Sequence, residues 1–157
     1  MNKPILYILC GVPGAGKTSW ANSFRQNINT CYVSRDDIRM SLLKEGEDYF
    51  SHEKEVFFTF VKTIATNLDE GYHVIADATH INAKSRAKLI HAVDMYVTNY
   101  EIIFIYFNID VELCLTRNAM RKGRACVPED TLRAMYDNFT VPSSAEDRRC
   151  IGVWEVK

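Results

Sequence analysis

The chain has no C-x-x-C pair, and its five cysteines (Cys10, Cys31, Cys114, Cys126 and Cys150) are odd in number. Both facts argue against a disulfide framework and against a zinc knuckle. Cys10, Cys31 and Cys114 lie in apolar runs and read as core thiols. No apolar stretch approaches the roughly 20 residues of a membrane helix. The N-terminus enters a predicted strand after three residues, which leaves no room for a signal peptide. The expectation is a cytoplasmic protein without a membrane partner. Net charge is −1 over 157 residues, so any contact with nucleic acid must rest on a local basic patch. There is no repeat, low-complexity segment or linker. At 47% hydrophobic residues, the chain can bury one core, and the reading is a single domain over 1–157.

What is present starts with "ILYILCGVPGAGKTSWANSF", residues 5–24. Gly11 to Thr18 fits G-x-x-x-x-G-K-[ST], the phosphate-binding P-loop. Glycines let backbone N–H groups approach phosphate oxygens, and the following helix points its positive end at the same oxygens. Lys17 can reach the β- and γ-phosphates, and the Thr18 hydroxyl can ligate Mg²⁺. The candidate nucleotide-binding set is Gly11, Val12, Pro13, Gly14, Ala15, Gly16, Lys17, Thr18 and Ser19. GTPases, ATPases and kinases share this loop. The absence of an N-K-x-D guanine signature speaks against the first.

Apolar runs alternate with helical patterns along the chain. Strands are expected at 4–10, 31–34, 72–77, 101–109 and 151–156. Helices are expected at 18–28, 35–44, 49–71, 82–96, 110–123 and 129–139, with Gly71 ending the long third one and Asp110 opening the fifth. Continuous apolar strands between helices predict an α/β fold: a parallel sheet of about five strands covered by helices on both faces. Ligands bind such sheets at the C-terminal strand ends.

The strand ends carry the chemistry. "CYVSRDDIR" puts Asp36 and Arg39 three residues apart, on one helical face. Asp36 suits a general base for an acceptor hydroxyl, and Arg39 suits an anionic part of the same substrate. The alternative is that Asp36 and Asp37 only cap the helix. "YHVIADATHIN" ends a strand at Asp77, placed to help hold Mg²⁺. Thr79 and Asn82 could contact substrate or cap, with capping favoured for Asn82. His80 reads as an ordinary surface or loop histidine. The segment "RNAMRKGRACVPEDTLRAMY" gathers Arg117, Arg121, Lys122 and Arg124, which suits a basic lid over about 117–128.

Together, "GVPGAGKTSWA", "SRDDIR", "VIADAT" and the lid segment resemble the kinase domain of bacteriophage-type 5′-polynucleotide kinases, from Ile5 to about Phe139. The resemblance implies a P-loop kinase fold using ATP and Mg²⁺. It implies Asp36 as base, Arg39 on the phosphate beside the acceptor hydroxyl, and Lys17 and Thr18 on donor phosphates and metal. Asp77 would order the metal site, and Arg117 would lie on the nucleotide. Arg121 would be the lid cation, although counting back from Gly123 selects Lys122. The implied partner is a nucleic acid with a free 5′-hydroxyl. A hydroxymethylated base in DNA, a small-molecule hydroxyl, or ATP hydrolysis without transfer are the alternatives. No D-x-D-G-T phosphatase motif follows. Trp154 reads as core packing before nucleobase contact, and no series of exposed aromatics suggests a base-stacking platform.

Overall fold

The computed structural model describes residues 2–25, 30–123 and 126–157. Five strands form one sheet: β1 (Ile5–Cys10), β2 (Thr30–Ser34), β3 (His73–Asp77), β4 (Glu101–Phe107) and β5 (Cys150–Val156), in the order β2-β3-β1-β4-β5. Every pairing is parallel. The helices are α1 (Lys17–Arg25), α2 (Arg35–Leu42), α3 (Glu53–Asp69), α4 (Ala83–Asp94), α5 (Val111–Ala119) and α6 (Glu129–Asp137).

The apolar runs form strands because both sheet faces are covered. Leu6, Ile8 and Cys10 point to one face, where Phe60, Ile64 and Leu68 of α3 and Leu89 and Val93 of α4 pack. Tyr7 and Leu9 point to the other, against Ala21 of α1, Cys114 of α5 and Leu132 of α6. The period-two alternation of a strand thus splits one apolar run between two half-cores. Cys10 and Cys114 are fully buried, and Cys31 is half-buried with its Sγ 3.2 Å from Asn67 Oδ1.

Helix boundaries differ from the expectation where local hydrogen bonding decides. The long helix starts at Glu53, not Tyr49, because 44–52 is drawn into turns in which the Lys44 N–H donates to Glu47 Oε1 (2.6 Å). It ends with Gly71 at φ 91°, its N–H on Leu68 O, a left-handed stop that glycine takes without strain. Asp110 does open α5, accepting from the Glu112 N–H, but that helix closes at Ala119 and not near Gly123.

Residues 143–157 lie beyond the motifs, and the structure gives them a clear role. Ser143 and Glu146 make reciprocal capping bonds around a short 3₁₀ turn. Glu146 also takes both the Nε (2.9 Å) and Nη2 (3.0 Å) protons of fully buried Arg86 on α4. Arg86 Nη1 donates to His80 O at 2.9 Å. Arg149 bridges Asp94 and Asp147. Trp154 packs against Tyr7 and Phe24, each 5.9 Å away between ring centroids. Removing one partner of a buried ion pair leaves an uncompensated charge. Arg86→Ala should therefore cost about 3–5 kcal/mol, read as a lower denaturant midpoint; a loss below about 1 kcal/mol, the level of an exposed pair, would contradict the assignment.

Candidate active site

The loop after β1 is shaped by its glycines. Gly14 (φ 83°) and Gly16 (φ 95°) are left-handed, and a Cβ on Gly14 would lie 2.3 Å from the Cys114 carbonyl oxygen of α5. The loop is pinned from the other side by Gly11, whose N–H donates to Thr79 O at 2.9 Å. α1 begins at Lys17, so its unpaired amides face the space the loop encloses. Lys17 folds back to donate to Val12 O at 3.0 Å. Desolvation pulls its pKa down, against the attraction of Asp77 and Asp36. Arg117 lies beside the same loop, with Nη1 3.4 Å from Gly14 O.

The parallel register sets Ser34 opposite Asp77, which levels the ends of β2 and β3. At that level the Thr18 hydroxyl is 3.3 Å from Asp77 Oδ2, and the Tyr32 hydroxyl donates to the same oxygen. Tyr32 was not visible as a site residue in the sequence, because it sits in the apolar face pattern of β2. Hydroxyl and carboxylate are hard oxygen donors, and Mg²⁺ is held by one or two such groups together with phosphates and water. The donor set therefore fits that ion. Among the described residues no cluster of three or more His, Cys, Asp or Glu forms a metal cage.

Across the cavity stands α2. Its cap is Ser34, which accepts from the Asp37 N–H at 3.2 Å. Asp36 is thus not spent on capping. Its Oδ1 accepts from the Tyr49 hydroxyl (2.6 Å) and from Arg39 Nη1. Its Oδ2 accepts from Arg121 Nη2 at 3.1 Å. Burial alone raises the carboxyl pKa, but the Tyr49, Arg39 and Arg121 donors outweigh it and hold it below the ordinary value.

Arg39 is 7% exposed and carries more partners than the sequence suggested. Its Nε and Nη2 both reach Glu53 at 2.7 Å. Its guanidinium also lies 4.8 Å from the Tyr49 centroid and 5.4 Å from that of Phe50. Glu53 and Tyr49 are 14 and 10 residues from Arg39, so no helical spacing announces them. Phe50, 59% exposed at the cavity rim, is an aromatic at this site that the sequence reading did not pick out.

Behind these groups the loop after β3 closes the wall. His80 is not a surface histidine. It is buried at φ 41°, with Nδ1 2.7 Å from Leu9 O. A carbonyl only accepts, so Nδ1 carries the proton; burial pushes the imidazole pKa down to about 4. Asn82 caps α4 in a reciprocal box with Ser85. On the lid side, buried Asn118 exchanges two hydrogen bonds with Val127 (2.6 and 3.0 Å), which ties α5 to the residues before α6. Arg121 points into the cavity, whereas Lys122 is exposed; Arg124 lies outside the described residues. The enclosed space is about 500 Å³, running from the P-loop past Asp36 and Arg39 to Phe57 and Lys88.

A family model described as an AAA domain matches residues 6–142. The chain belongs to this AAA-domain family. It is 27% identical over 147 residues to the L-seryl-tRNA(Sec) kinase of Methanococcus maripaludis, covering 89% of this chain and 54% of that protein. It is 23% identical over 152 residues to a putative bifunctional polynucleotide kinase/RNA ligase of Autographa californica nuclear polyhedrosis virus, covering 85% of this chain and 20% of that protein. The chain thus spans about half, or less, of the length of these relatives. Among solved structures, a chain of the Pnkp1/Rnl/Hen1 RNA repair complex superposes with a TM-score of 0.74 at 25% identity, covering 88% of this chain and 44% of that one. No helix among the described residues is long and apolar enough to cross a membrane.

The arrangement around Asp36 makes its charge state testable. Tyr49→Phe removes a donor to Oδ1, so the Asp36 carboxyl pKa should rise. Carbon-detected NMR titration measures this directly; an unchanged or lower value would show that Tyr49 does not stabilise the carboxylate.

Proposed function

We propose that this kinase transfers the γ-phosphate of ATP to the 5′-hydroxyl end of DNA or RNA. The observation that carries the reading is the position of Asp36, whose carboxylate is shared between Arg39 and Arg121 across the cavity from the P-loop. The acceptor O–H proton passes to Asp36 as that oxygen bonds to the γ-phosphorus. The bond from phosphorus to the β,γ-bridging oxygen breaks, and ADP leaves. A loose transition state needs positioning and charge stabilisation more than covalent help. Lys17 meets the β- and γ-phosphates, Arg117 lies along the nucleotide, and Arg39 faces the phosphate next to the acceptor hydroxyl. Thr18 and Asp77 would hold Mg²⁺, which neutralises phosphate charge when bound.

Arg121 serves two partners in turn. One is Asp36, whose Oδ2 accepts from Arg121 Nη2 in the structure. With nucleotide Arg121 moves to the donor phosphates, whose greater charge attracts it, and Oδ2 becomes free to accept the proton. Arg121 is preferred to Lys122 because a planar fork suits two phosphate oxygens.

A hydroxyl other than a 5′ end is the second reading, favoured by the likeness to the seryl-tRNA(Sec) kinase. Incubation with γ-labelled ATP and a 5′-hydroxyl oligonucleotide separates them. Label should appear at the 5′ terminus. Asp36→Asn should slow transfer by about 10² to 10⁴ while nucleotide binding persists. Label at internal positions, transfer only to a small hydroxyl compound, or ADP formation without transfer would each reject the proposal.

A further inference from the structure

Beyond Asp36 the cavity continues to a rim between α3 and α4 that the chemistry above does not use. Its lining includes Arg35 of α2, Phe57 of α3 and Lys88 of α4. The Arg35 guanidinium carbon lies 5.3 Å from the Phe57 centroid, and Lys88 Nζ lies 4.7 Å from the same centroid. Two cations therefore share one aromatic ring. Arg35 has only an outer contact to Glu53 at 3.4 Å, because that carboxylate is held by Arg39 at 2.7 Å. Arg35 Nε is buried and has no hydrogen-bond partner among the described residues. Among the described residues, no carboxylate lies within ion-pair distance of Lys88, which is exposed at the rim.

A buried unpaired donor costs free energy, and two like charges over one ring repel each other. An anion set between them would relieve both. The groups lie in sequence: Asp36 and Arg39 at the reacting hydroxyl, then Arg35, then Lys88 at the surface. Resting on the reading of a polynucleotide 5′-hydroxyl kinase, we propose that Arg35 and Lys88 grip the second backbone phosphate of the acceptor strand as it leaves the cavity between α3 and α4. Arg39 then faces the first phosphate, next to the terminal nucleoside. The site is thus built for an acceptor at least two phosphates long, and a groove of two cations, one of them only loosely paired with Glu53, selects phosphate by charge and not by base.

Two acceptors test this: a nucleoside 3′-monophosphate, with one phosphate, and a dinucleotide with a 3′-phosphate, with two. For the wild type the dinucleotide should have a KM about tenfold lower, the scale of a charged hydrogen bond. Lys88→Ala should bring the two KM values within about twofold of each other, and Lys88→Arg should keep them apart. The extra phosphate should also steepen the dependence of log KM on log salt by about 0.7, and Lys88→Ala should remove that increment; a purely structural role for Lys88 would leave it in place. Equal KM values for the two acceptors in the wild type, or a gap that survives in Lys88→Ala, would overturn the second-phosphate site while leaving the kinase reading intact. Phosphorylation of neither acceptor, with a good one found elsewhere, would overturn the polynucleotide 5′-hydroxyl reading and this site with it.

Discussion

A guanidinium that is 7% exposed cannot stay charged without partners, and Arg39 has two carboxylates. Glu53 takes one edge and Asp36 takes the end that faces the cavity. Burying an arginine is costly unless its hydrogen bonds are made, and this requirement joins three segments. Asp36 comes from α2, Glu53 opens α3, and Tyr49 from the turns between them covers the guanidinium face. The cavity wall opposite the P-loop takes its shape from this pairing.

The same requirement sets the state of the proposed base. Tyr49 and Arg39 occupy one oxygen of Asp36, so chemistry is confined to the other. That oxygen accepts from Arg121. If Arg121 leaves Asp36 when donor phosphates arrive, as proposed, proton acceptance is coupled to the presence of ATP. The P-loop is arranged in parallel: Lys17 donates to Val12 O, a bond that the proposed donor phosphates would replace.

Much of this was legible in the sequence. Alternating apolar runs and helical patterns identified the five strands and six α-helices of the described residues, because the sheet is covered on both faces and its central strands β1 and β4 are largely apolar; the 3₁₀ turn at Ser144–Glu146 was not legible. The P-loop, Asp36, Asp77 and Arg121 were legible since each follows a strand or sits in a compact motif. Glu53, Tyr49 and Tyr32 were not, since their roles depend on contacts across 14, 13 and 45 residues. His80 does lie in the loop after β3, but its burial was not legible, since only the folded chain brings the Leu9 carbonyl to it. The closing segment carried no motif, yet Arg86 and Glu146 meet across 60 residues to hold it.

The central claim is that Arg121 passes from Asp36 to the donor phosphates. The most direct test is the structure of the protein bound to a non-hydrolysable ATP analogue and Mg²⁺. The account predicts that Arg121 Nη2, 3.1 Å from Asp36 Oδ2 in the present structure, will be beyond hydrogen-bonding distance of that oxygen and in contact with the phosphates. An Arg121–Asp36 pair that stays intact with the analogue seated in the P-loop would contradict it.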